Sequence, residues 1–191
     1  DWAALRPMTE LQFEKACRGG TPSEANEHAW GSTTVIAAIQ ISGIEDGTEV
    51  VTLPVNANCN LNNLIFTGGD GGAGPLRCGI FATAATTTRL QTGASFWGVM
   101  ELSGNVYEQC IHIGAGVGAN ASANGVGRGD GELSPTGQSD DPTWPTAALN
   151  LIIFRGGSFA SSGVTAGAIS YRDAGSSFNV RAPTRGGRGI R

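Results

Sequence analysis

FWGVMELSGNVYEQCIHI, residues 96–113, is the densest run of aromatic and β-branched residues in the chain. Ser103-Gly104-Asn105 interrupts it with three residues that favour turns, so the run predicts strand, turn, strand. A further strand is expected over residues 152–159 (IIFRGGSF). Its Gly156-Gly157 pair lets strand and loop approach closely, with Arg155 either tied internally or left to meet an anion.

Working outward, both kinds of element appear. Thr9 and Gln12 read as a capping box, each side chain satisfying a free amide at a helix N-terminus. Leu11, Phe13, Ala16 and Cys17 give that helix an apolar face, and Gly19-Gly20 ends it. Residues 21–31 form an irregular connection that places Trp30. Residues 35–41 and 49–55 are rich in β-branched side chains, with Asp46-Gly47 between them, which signals a hairpin. Polar and glycine-rich stretches at 56–74 and 114–145 predict long surface loops, and residues 188–191 an edge strand. No repeat recurs at solenoid periods. The fold class is α+β, with few short strands and much ordered loop.

Composition narrows the function. At 191 residues with 40% hydrophobic and 15% charged side chains, the chain has the material for one domain and is not intrinsically disordered. Thirty glycines imply a loop-rich fold. A net charge of -4 argues against general nucleic-acid binding. The longest apolar runs, such as residues 149–154, are far short of a membrane span, and no basic-then-apolar signal segment is visible in the sequence, whose natural start need not be Asp1. From Arg155 onward Asp173 is the only acid among Arg155, Arg172, Arg181, Arg185, Arg188 and Arg191. Arginines in this setting serve as structural forks or as anion contacts. Cys17, Cys59, Cys78 and Cys110 lie too far apart for a zinc site, which suggests buried thiols in a reducing compartment, or at most one bridge.

Four blocks carry a resemblance to a known family. They are LRPMTELQFEKACRGG at 5–20 with Trp30-Gly31, FWGVMELSGNVYEQC at 96–110, FRGGSF at 154–159 and GGRGIR at 186–191. In this order they resemble the formylglycine-generating enzyme (sulfatase-modifying factor) family, with Gly187 where the family has an aromatic. The resemblance implies a C-type lectin fold of the formylglycine-generating type, loop-rich with a small twisted antiparallel sheet. It also implies a single domain over 1–191, and a family segment expected ahead of the helix that is missing, trimmed or supplied elsewhere.

The enzymes of that family oxidise a substrate cysteine with copper held by a cysteine pair after Arg-Gly-Gly-Ser. Residues 160–184 (ASSGVTAGAISYRDAGSSFNVRAPT) contain no cysteine, and soft Cu(I) needs thiolate ligands. The block instead resembles the region rewritten in variable proteins of diversity-generating retroelements, a binding branch of the family. Adenine-directed change of Asn codons cannot yield Lys, Glu, Gln, Met or Trp, and the block contains none of them. Small polar side chains with an occasional aromatic suit an adaptable binding face. The resemblance therefore implies a non-enzymatic receptor for a macromolecular or surface ligand of protein type. Its variable positions are Ala160, Ser161, Ser162, Val164, Thr165, Tyr171, Asp173, Ser176, Phe178, Val180, Ala182 and Thr184. These should be exposed, with Ile169 and the intervening glycines as scaffold.

Other readings stand beside this one. An oxidoreductase of the formylglycine-generating type is disfavoured by the missing cysteines. A fixed-specificity sugar-binding lectin or phage-type adhesin is disfavoured because neither Glu-Pro-Asn nor Gln-Pro-Asp occurs. Gly104, Asn105, Val106 and Glu108 match a family calcium loop, and a structural calcium is one expectation. The other is a turn whose Glu108 caps amides or pairs with an arginine. His28 and His112 lack catalytic partners and are expected to be structural. Arg128-Gly129-Asp130 is a chance tripeptide in a loop, and residues 68–74 lack the Lys-Ser/Thr of a phosphate loop. Phe96, Trp97, Tyr107, Phe154 and Phe159 should form an apolar floor, with Arg155, Arg172 and Arg181 forking to carbonyls or acids to pin the loops.

Overall fold

The capping box at Thr9 forms as the sequence predicts. Thr9 Oγ1 accepts the Gln12 N–H at 3.3 Å, and Gln12 Oε1 accepts the Thr9 N–H at 3.0 Å. It opens helix α1, Glu10–Arg18, which closes with the Gly19 N–H on Lys15 O. A computed structural model describes residues 5–44, 46–62, 74–112, 132–137, 140, 152–172 and 182–190. Phe13 and Cys17 face the core from α1, and so does the carboxylate of Glu10.

The strands are short and form small open sheets. β1 (Arg6–Pro7) pairs antiparallel with β7 (Gly189–Ile190), the expected edge strand. β2 (Gln40–Ser42) and β3 (Val50–Leu53) make the predicted hairpin, with Asp46-Gly47 in its connection. Helix α2 (Arg89–Thr92) carries a second capping box, Thr88 with Gln91, that the sequence reading passed over. The third sheet has β4 (Tyr107–Ile111) at its centre, antiparallel to β5 (Ile152–Arg155) and parallel to β6 (Arg185–Gly186). This sheet is mixed, a correction to the all-antiparallel expectation. β6 is separated from β5 by a long connection rather than a tight turn, which leaves it free to pair parallel with β4.

Residues 96–106 are not a strand, which corrects the strand-turn-strand reading. Glu101 and Asn105 sit at φ 61° and 64°, in the left-handed region that no strand ladder accepts. The apolar floor is also corrected in part. Phe154 and Phe159 are buried, and Tyr107 packs its ring 5.9 Å from that of Phe154. Phe96 and Trp97, however, are 41% and 62% exposed. They close the end of α1 instead. Trp97 Nε1–H donates to Lys15 O at 3.2 Å and Phe96 N–H to Cys17 O at 2.8 Å.

The main core lies between α1, β4 and β5, and includes Phe13, Cys17, Leu102, Cys110, Ile153 and Ile169. A second cluster, around Ile41, Ile80 and Phe81, backs the hairpin, and a third joins Trp30, Cys59 and Leu61. All four cysteines are free, Cys78 exposed and the others buried. Among the described residues no helix is long and apolar enough to cross a membrane. The architecture is a small α+β fold with modest helix and strand content.

Candidate ligand-binding face

The chain leaves β5 through Gly156 and Gly157, at φ 80° and 70°. A Cβ on Gly156 would collide with Leu102 O, and one on Gly157 would meet the Ala166 backbone at 2.9 Å. Glycine is required here by both conformation and space. The turn brings residues 158–172 back across the framework, where buried groups hold their backbone. Phe159 N–H donates to Asn105 O at 2.9 Å, and Ile169 N–H to Glu27 O at 2.8 Å. His28, stacked on Trp30, donates Nε2–H to Val164 O at 3.0 Å. Ser103 Oγ–H donates to Gly167 O at 2.7 Å while accepting the Ala29 N–H at 2.9 Å. The 3-10 turn Val164–Gly167 is thereby fixed from beneath.

Arginine forks complete the support, as expected for Arg155 and Arg172. Arg155, fully buried, donates to Glu10 at 2.9 Å, to Glu14 at 2.8 Å and to Ile169 O. Arg172 meets the same two carboxylates at 2.8 and 3.1 Å from the solvent side. His112 reaches Glu10 at 2.9 Å. Glu10 and Glu14, one turn apart on α1, thus tie the end of β5 and the segment after Ile169 to the helix. Nothing in the sequence marked these two acids, because charged residues on an amphipathic helix read as its solvent side. Arg181 lies outside the described residues.

The candidate variable positions divide cleanly. Ser162, Val164, Thr165 and Tyr171 are exposed. Ala160, Ala182 and Thr184 are half-buried. Ser161 corrects the expectation of exposure: at 7% exposed, its hydroxyl accepts the Ser158 N–H and bonds Tyr107 Oη at 3.2 Å. Ile169 and Gly167, expected as scaffold, are buried with Ala166 and Ala168. Asp173, Ser176, Phe178 and Val180 lie outside the described residues.

No family model and no curated protein matches the chain.

The four candidate metal residues are engaged with protein groups. Gly104 N–H donates to Gly156 O at 2.7 Å. Asn105 Oδ1 accepts from Leu76 N at 2.7 Å and Asn60 Nδ2 at 3.2 Å. Val106 packs its side chain beside Gly186. Glu108 Oε1 accepts Arg188 Nε–H at 2.6 Å. Burial raises the Glu108 carboxyl pKa, and Arg188 opposes the rise. Calcium wants six to eight oxygens, yet here a guanidinium stands against the one carboxylate of the loop. Of the two readings for Glu108, the arginine pair is present through Oε1, while Glu108 Oε2 and Asn60 Oδ1 are buried without a partner among the described residues. Among the described residues no cluster of three His, Cys, Asp or Glu is placed to hold a metal.

Proposed function

We propose that this chain is a non-enzymatic binding domain of the C-type lectin fold, formylglycine-generating type, displaying residues 160–184 as a diversified face for a protein ligand. The supporting observation is the division of residues 162–171, where the exposed candidates alternate with a backbone held by His28, Ser103, Glu27 and Arg155. Side chains that point outward from a backbone fixed by other residues can change without unpairing anything buried. Prior order also spares the entropy of freezing a loop on binding.

The test is a display library of the full chain randomised at Ser162, Val164, Thr165 and Tyr171. Most members should fold, and selection against unrelated proteins should return binders that differ at these four positions. A library that largely fails to fold, or that returns no binder, rejects the reading. Diversification itself predicts a near-copy of the coding sequence for residues 158–190 close to the gene, differing only at adenines. Incubated with Cu(I) and a cysteine-containing sulfatase peptide, the protein should produce no aldehyde; turnover would restore the oxidoreductase.

A further inference from the structure

We propose that a cleft of about 250 Å³ between β1, the segment leading into β7, and β4 binds a small organic carboxylate. The cleft is built entirely from residues outside 160–184, so it does not rest on the function proposed above. Arg6 and Pro7 line it from β1, Gln109 from β4, and Gly187 and Arg188 from the C-terminal side.

Charge selects an anion. Arg188 is already matched by Glu108 at 2.6 Å and spends a second donor on Met100 O. Arg6 is different: its Nη1 donates to Gln12 Oε1 at 2.8 Å and to Pro7 O at 3.3 Å, both uncharged. None of the ion pairs among the described residues includes Arg6. Among the described residues the wall therefore carries one positive charge with no acid beside it, and Nε and Nη2 of Arg6 remain outside those two bonds. A guanidinium edge of this kind forks onto a carboxylate with two parallel hydrogen bonds. Leu5 and Pro7 supply the apolar surface, and Gln109 lines the facing side.

Size limits the body of the ligand. Pockets for drug-sized molecules run to roughly 300–1,000 Å³, so the part of a ligand seated in this open cleft matches a benzene ring or a short branched alkyl chain. Gly187 keeps it open. A Cβ there meets Gln109 Cβ at 3.8 Å, an ordinary contact, so a larger side chain would fill the cleft without breaking its wall.

The experiment is amide-resolved NMR titration of the full chain with benzoate, with benzamide as the neutral isostere. Saturable shifts are expected at Gln109, Gly187 and Gly189, at least tenfold weaker with benzamide. Gly187→Leu should abolish them, Arg6→Gln should weaken them at least tenfold, and Arg77→Gln should leave them unchanged. A free acid and the carboxylate end of a peptide share this chemistry, so isovalerate is compared with a tripeptide ending in leucine. Tighter binding of isovalerate is expected, and tighter binding of the peptide overturns the assignment to a small acid. Absence of saturation, equal binding of benzamide, or undiminished binding by both variants overturns the site. Should Arg6→Gln loosen α1 through Gln12, the benzamide comparison and Gly187→Leu still decide.

Discussion

At the scale of single residues, Arg155 and Arg172 share the carboxylates of Glu10 and Glu14 but differ in exposure, and that difference sets their worth. Arg155 is fully buried, whereas the Arg172 side chain is 46% exposed. Removing one member of a buried pair strands the other charge and costs roughly 3–5 kcal/mol, while an exposed pair contributes about 1 kcal/mol or less. Arg155→Ala should therefore lower the melting temperature sharply and speed amide exchange over residues 164–172. Arg172→Ala should change both only slightly; equal losses from the two would show that burial does not govern the network. Glu101 offers a pH test. Burial pushes its carboxyl from the ordinary 4.5 up to about 7, against the Gly79 N–H that it accepts and the nearby Arg188. An acid whose folded pKa is raised contributes stability that is complete below its unfolded pKa and lost as pH climbs through the folded one. Native Glu101 should thus weaken the fold progressively from about pH 4.5 to above pH 7, by at most about 3 kcal/mol. Glu101→Gln, measured by denaturant unfolding at pH 5 and pH 8, should gain stability only at the higher pH. A gain of equal size at both would place the effect elsewhere.

At the scale of elements, Ser103 is the joint between the 103–105 turn and the 3-10 turn under the candidate face. Its hydroxyl serves Ala29 N–H and Gly167 O at once, both inside the protein. Ser103→Ala leaves a donor and an acceptor buried and unpaired, at about 1–3 kcal/mol each. Ser103→Thr, which keeps the hydroxyl, should recover most of the loss in a melting experiment. If alanine melts like the native protein, the joint is not structural. This joint also shows where legibility in the sequence stopped. Helix α1 was readable because capping and apolar spacing are local, and so was the hairpin around Asp46-Gly47. Residues 96–106 have the aromatic and β-branched content of a strand, while the left-handed turns at Glu101 and Asn105 are set by partners distant in sequence. Asn105, for instance, is held by Leu76 and Asn60. At the candidate site, the arginine forks of Arg155 and Arg172 were anticipated from side-chain chemistry. Their acceptors Glu10 and Glu14 were not, since they lie 141–162 residues away in sequence. Ser161 was misplaced for a similar reason: nothing local tells a buried serine from an exposed one until Tyr107 and Ser158 are in position.

At the scale of the whole molecule, the cysteines report on whether the core clusters hold together as one unit. Cys17 and Cys110 belong to the main cluster under α1, whereas Cys59 sits with Trp30 and Leu61 in another. Burial pushes the Cys59 and Cys110 thiols up to about 12 and raises Cys17 further still, so none of these reacts as a thiolate while folded. Cys78 is exposed, and although partial burial and Glu101 raise its thiol, the reagent can reach it. A thiol reagent should therefore label one cysteine in the native protein and all four in denaturant, with mass spectrometry assigning the native adduct to Cys78. Rates in sub-denaturing urea carry the sharper information. The main and Trp30 clusters meet where Ala29 and Trp30 are chain neighbours and where Asn105 N–H donates to Asn60 O beside Cys59 and Leu61, so opening one should open the other. Cys17, Cys59 and Cys110 should then share one protection free energy, and Arg155→Ala should lower all three by the same amount. If Cys59 is labelled well before Cys17 and Cys110, the Trp30 cluster opens by itself. The Asn60 contact would then be too weak to join the two clusters, and residues 162–171 would be held by Ser103, Glu27 and Arg155 without His28.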